Sequence, residues 1–204
     1  MSDSDPAADR TALLLQMYRR RFDDIDRHIR VVWQSIAAVV GAFALFAMVG
    51  RDTVPLDLAA AIVVLLNAWS SAQVIDASYW YNRNVVIAAN IEREFLRGED
   101  VTLIHSYFLA HRAGNTMISY LRIQLWLAGG LAALVLLFHA LALWRGERPP
   151  GDTAALPYLV AGLSIVVLHL FQVRSDRKYA EFLQASPGRR VDLAEHGVLG
   201  HSER

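Results

Sequence analysis

Residues 123–144 read IQLWLAGGLAALVLLFHALALW, with Arg122 before them and Arg145 after. The stretch holds no Asp, Glu, Lys or Arg. A helix needs about 20 mostly apolar residues to cross a hydrocarbon layer of roughly 30 Å. A buried helix of a soluble bundle would alternate apolar and polar faces, and this stretch does not. Three further segments share its character: residues 31–50, residues 58–75 between Asp57 and Asp76, and residues 156–173, stopped by Arg174. The fold class that follows is all-α: an integral membrane four-helix bundle whose helices extend into the cytoplasm.

Composition agrees. Of 204 residues, 54% are hydrophobic, above the usual share for a soluble domain, which is about half or less. Acidic and basic residues number 20 each, so the net charge is zero, and there is no cysteine. A disordered chain, a disulfide scaffold, a thiol-ligated zinc site, a cysteine nucleophile and a uniformly basic nucleic-acid binder are thereby excluded. Only Lys178 among the basic residues is lysine, a bias that suits a GC-rich bacterial genome. The start MSDSDPAADR is acidic and small, so no cleaved signal is expected.

Orientation follows from the basic residues outside the spans. Seventeen Arg or Lys fall in the N-terminal stretch, the segment 76–122 and the tail after 173, against three in the other two connections (Arg51, Arg145 and Arg148). Both termini and the central segment are expected in the cytoplasm of a multi-pass inner-membrane protein. Trp33 and Trp126 would mark the inner boundary, and Trp144 and Tyr158 the outer one.

The cytoplasmic parts read as helices. Leu15, Tyr18, Phe22, Ile25, Ile29 and Val32 are spaced 3, 4, 3, 4, 3, an a/d seam of coiled-coil type. It enters the first span without a Pro or Gly break, so one helix of about 40 residues starting near Thr11 is expected, roughly 60 Å long. Residues 76–97 and 101–122 form two equal arms around Leu96-Arg97-Gly98-Glu99-Asp100. Gly98 is expected as a left-handed C-cap and Asp100 as the cap of the next helix. The arms would form an antiparallel hairpin, with Ile87, Ile91 and Phe95 against Ile104, Phe108 and Ile118. Residues 1–10 are expected to be disordered, 11–186 to form one membrane domain, and 187–204 to be a mobile tail.

Candidate polar positions lie inside the spans. Asn67 and Ser71, four apart, share a face of span two, and Ser164 sits at similar depth in span four. They either glue helices together or line a pore in an oligomer. His139 and His169 are ionisable groups within spans three and four, functional candidates by default. His139 lies near an outer end and His169 near an inner end, so they share no ligand, and a neutral imidazole bonded to a neighbouring helix is the expected state of each. His105 and His111, six apart, diverge around a helix and make poor joint ligands. Arg19-Arg20-Arg21 is balanced by Asp23, Asp24 and Asp26, a solvated face. Ala37 with Gly41, and Gly129 with Ala133, permit close helix approach. No catalytic motif, metal set, cofactor fingerprint or span-embedded carboxylate occurs.

The run Tyr79-Trp80-Tyr81-Asn82-Arg83-Asn84 through Asn90-Ile91-Glu92-Arg93-Glu94-Phe95-Leu96, with His111-Arg112 and Leu121-Arg122-Ile123-Gln124, resembles small bacterial multi-span membrane proteins. A cytoplasmic helix entering a short two-span hairpin, then a long cytoplasmic helix, resembles the two-span SLATT effectors of bacterial conflict systems. The resemblance covers residues 10 to 97. It implies membrane permeabilisation with a partner that senses infection or a nucleotide signal. The second pair of spans departs from that plan.

The expected function is a non-enzymatic, oligomerising membrane module, a pore-forming effector or channel-like component. A membrane anchor or scaffold whose cytoplasmic bundle docks a partner protein is the rival, and a small-solute transport component is the third. The expected partners are the lipid bilayer, further copies of the chain and a cytoplasmic protein, with no nucleic acid and no cofactor.

Overall fold

The structure, a computed structural model, describes residues 6–51, 53–103, 119–146 and 152–186. Among these it is all-α: α1 (Pro6–Ala42), α2 (Ala44–Val49), α3 (Leu56–Phe95), α4 (Gly98–Leu103), α5 (Ser119–Trp144) and α6 (Leu156–Ala185). Four helices are long and apolar enough to cross a membrane, counting α1 and α2 as one of 43 residues.

Local chemistry sets the boundaries. Proline suits the first helical turn, whose N–H groups lack partners anyway, and α1 starts at Pro6. That is five residues earlier than the Thr11 start expected, so residues 6–10, expected to be disordered, are helical. Asp9 in its first turn favours the helix N-terminus. The run into α2 is nearly unbroken: Phe43 stays right-handed (φ −63°, ψ −18°), and its N–H shifts to the carbonyl of Val40 at 3.2 Å, a locally tightened turn. Helix α5 ends at Gly146, whose φ of +68° is the left-handed conformation glycine adopts without strain.

Gly98 does not cap α3. It opens α4, and the chain breaks at Leu96-Arg97 instead. Asp100 is likewise no N-cap. It stands in the first turn of α4 and reaches back to accept the Arg97 N–H at 2.9 Å, the returning half of a capping box. Glu99 and Asp100 so close behind Gly98 favour a helix start there. The remainder of the second arm, with Ile104, His105, Phe108, His111 and Ile118, lies outside the described residues, as does the tail from 187.

Contacts divide the chain into two units, where one membrane domain was expected. One comprises Met1–His28, Tyr79–Thr116 and Asp176–Arg204; the other Ile29–Ser78 and Met117–Ser175. Helices α1, α3 and α6 contribute to both. Three of the divisions fall within three residues of the inner span ends read from charge, at 31, 75 and 173.

The second unit is aliphatic. Ala42, Ala60, Val63, Val64 and Val135 form one cluster, Val32, Val74, Ala77 and Leu121 another, and Val49, Leu56, Ala59 and Ala142 a third. Helix α3 is the most enclosed, with 56% of its apolar window buried, against 6% for α6. The outward faces are apolar too: Leu134, Leu137, Leu159, Leu163, Ile165 and Leu170 are all more than half exposed. A patch this large on a soluble monomer would be unusual. Trp33, Trp126, Trp144 and Tyr158 all face outward. So do Ala37, Gly41, Gly129 and Ala133, and a Cβ added at Gly41 or Gly129 would meet nothing within 4 Å. Among the described residues, these small residues therefore do not mediate close approach.

The first unit is aromatic and charged. Along the α1 seam, Ile25 is buried, Tyr18 and Phe22 are half-buried, and Leu15 is exposed. Tyr18 donates to Glu92 at 2.8 Å and stacks edge-on against Phe22. Val86, Tyr179 and Leu183 form its core, with Tyr79 and Phe182 packed against it, and Asn90 donates to Ser186 at 2.9 Å.

Candidate functional site

Asp57 stands in the first turn of α3, His139 one turn before the end of α5, and Tyr158 in the first turn of α6. All three belong to the aliphatic unit, where they meet. His139 Nε2 is 2.9 Å from Asp57 Oδ1, and His139 Nδ1 is 3.0 Å from the Tyr158 hydroxyl. Thr153, just before α6, donates to Asp57 Oδ2 at 2.6 Å. The imidazole is fully buried, while the Asp57 side chain is 16% exposed.

Hydrogen-bond chemistry orients the network. An ionised carboxylate only accepts. A neutral His139 therefore carries its proton on Nε2 and donates it to Asp57, leaving Nδ1 to accept from the Tyr158 hydroxyl. Every member is then satisfied, which is the condition for a buried polar network to stabilise rather than weaken its surroundings. Two metal-ligating side chains meet here, and among the described residues no third His, Asp or Glu joins them.

A second polar layer lies deeper. Ser35 of α1 and Ser70 of α3 face each other at 3.1 Å. Asn67 Nδ2 donates to the Val63 carbonyl at 2.9 Å, and the Ser71 hydroxyl to the Asn67 carbonyl at 2.9 Å. Both side chains thus fold back onto their own helix, within the protomer: Asn67 is 2% exposed and Ser71 7%. Asn67 Oδ1 is buried without a partner among the described residues. Ser164 is half-buried on α6 and His169 exposed on the same helix. No hydrogen bond among the described residues joins Ser164 to Asn67 or Ser71.

Of the positions expected from sequence, His139 is thus the centre of a constellation, and Asn67 and Ser71 form a separate layer. Asp57, Thr153 and Tyr158 were not expected as its partners. A signal existed: the alternating topology expected from the sequence would put Asp57, His139 and Tyr158 at one membrane boundary, so the depth was readable, but the rotation of each helix was not.

No family model matches the chain, and neither curated proteins nor solved structures show a significant similarity to it.

Proposed function

We propose that the chain is a four-span membrane anchor with both termini in the cytoplasm, and that its aromatic and charged helical unit docks a partner protein. The observation that carries this reading is the direction of the polar groups inside the apolar stretches. A pore needs a polar lining that water and ions can reach. Asn67 and Ser71 spend their hydrogen bonds on the backbone of their own helix, buried inside one protomer. What the second unit offers outward is aliphatic, which suits lipid. The first unit carries exposed apolar side chains at Leu13 and Met17, four apart and therefore on one face of α1. In the cytoplasm that face calls for a partner. The reading is non-enzymatic: a buried imidazole tying three helices together serves architecture.

The test is conduction together with crosslinking. Reconstituted protein should leave planar bilayers ion-tight, and a photoreactive residue at Leu13 or Met17 should yield one discrete heteromeric adduct in cells. A conductance that disappears on Asn67→Leu would replace the anchor with the pore.

A further inference from the structure

We infer that Arg83 binds the phosphate group of an anionic lipid headgroup on the cytoplasmic leaflet, an inference that rests on the membrane reading above. The guanidinium of Arg83 lies over two aromatic rings, 5.2 Å from the centroid of Trp80 and 5.1 Å from that of Phe182. Its Nη1 donates to the Tyr79 hydroxyl at 3.3 Å. Trp80 is itself backed by His28, whose ring is parallel to it within 4° at 5.8 Å. An Arg stacked in this way keeps its planar fork of donors fixed in one orientation, the property that suits it to phosphate.

The charge is also available. Four other arginines of this unit have carboxylates: Arg10 pairs with Glu94, Arg21 and Arg27 with Asp24, and Arg97 with Glu99. Among the described residues Arg83 has no carboxylate within ion-pair distance. A cation held over two rings and, among the described residues, without a counter-charge is poised for an external anion.

Position along α3 selects the anion. The apolar stretch ends at Ile75, so the Cα of Trp80 lies about 7–8 Å further along the helix and that of Arg83 about 12 Å. Side chains on a helix lean toward its N-terminus, which for α3 is toward the apolar stretch. The contact of Arg83 with Trp80, three residues earlier, shows that lean. The guanidinium is thereby brought back to the depth of Trp80. Headgroups occupy a layer of about 5–8 Å outside the hydrocarbon, and aromatic side chains of this kind favour that level. Lipid phosphates lie where the Arg83 fork is held.

The experiment titrates lipids into the detergent-solubilised full chain and follows thermal unfolding. Phosphatidylglycerol should stabilise the wild type at about five- to tenfold lower concentration than phosphatidylcholine. Glycerol phosphate and inorganic phosphate at matched concentration should have no effect. Arg83→Gln should abolish the preference, whereas Arg20→Gln, an equal loss of charge at an exposed site, should keep it. Arg83→Lys and Phe182→Leu cover the event that Arg83→Gln fails to fold. Lysine keeps the charge but cannot lie flat over the rings, and leucine removes one ring; each should lose most of the preference. Equal preference in wild type and the Arg83 variants overturns the inference, and stabilisation by free phosphate as strong as by the lipid overturns the lipid as its source. Membrane extraction of the wild type reports separately on the anchor reading: carbonate-soluble protein would end that reading, whereas a lost lipid preference in firmly inserted protein would end only this one.

Discussion

Replacing His139 with leucine tests the Asp57–His139–Tyr158 network at its centre. The substitution is close in size, so the cavity term is small, and the cost comes from the partners left behind. Asp57 Oδ1 loses a donor at 2.9 Å and the Tyr158 hydroxyl an acceptor at 3.0 Å. A hydrogen bond to a charged group contributes about 1.5–3 kcal/mol and a neutral one about 0.5–1.5. Tyr158 is 39% exposed and can turn its hydroxyl to water, so its share falls to the low end. Asp57 keeps Thr153 but sits only 16% exposed, so its share stays near the high end. The expected loss is about 2–4 kcal/mol in reversible unfolding by denaturing detergent. Tyr158→Phe preserves shape and leaves Nδ1 buried without its donor, at a cost of about 1–2 kcal/mol. Combining the two separates a network from bystanders. With the imidazole gone, Tyr158→Phe has nothing left to remove, so the double variant should be no worse than His139→Leu alone. Additivity within about 0.5 kcal/mol would mean that the groups act independently, and the reasoning would fail.

Two further substitutions probe the units separately. Asn67→Leu removes a buried carbonyl oxygen without a partner among the described residues, together with the Nδ2 bond to the Val63 carbonyl, so stability in the same assay should change by no more than about 1 kcal/mol in either direction; a larger loss would reveal a partner from outside the protomer. Ile91→Asp places a charge at a position 6% exposed, and should cost several kcal/mol, read as loss of folded protein by size-exclusion chromatography; an unchanged elution profile and melting temperature would mean that this face of α3 is open.

The membrane-capable helices were legible because their signal is local: an uninterrupted apolar window flanked by charge at Arg122 and Arg145 needs no knowledge of neighbours. The features that were misread depend on what surrounds a residue. Gly98 looks like a helix stop, but Glu99 and Asp100 make a better first turn than a terminus. Gly41 and Gly129 have the spacing of a helix contact, and spacing says nothing about which side of the helix faces inward. The network around His139 draws on positions 57, 139, 153 and 158. Its depth was readable from topology, but its assembly depends on how α3, α5 and α6 rotate against one another. The polar layer at Asn67 was visible as composition, while its direction came only from the bonds to Val63 and within α3.

Single-cysteine labelling tests the four-span arrangement most directly. The chain has no cysteine, so one introduced residue is the only thiol. Glu99 and Asp152 are both exposed, the first in α4 and the second just before α6. In intact cells a membrane-impermeant maleimide should label Asp152→Cys, and should label Glu99→Cys only after the membrane is permeabilised. Labelling of Glu99→Cys in intact cells, or protection of Asp152→Cys until permeabilisation, would contradict the account.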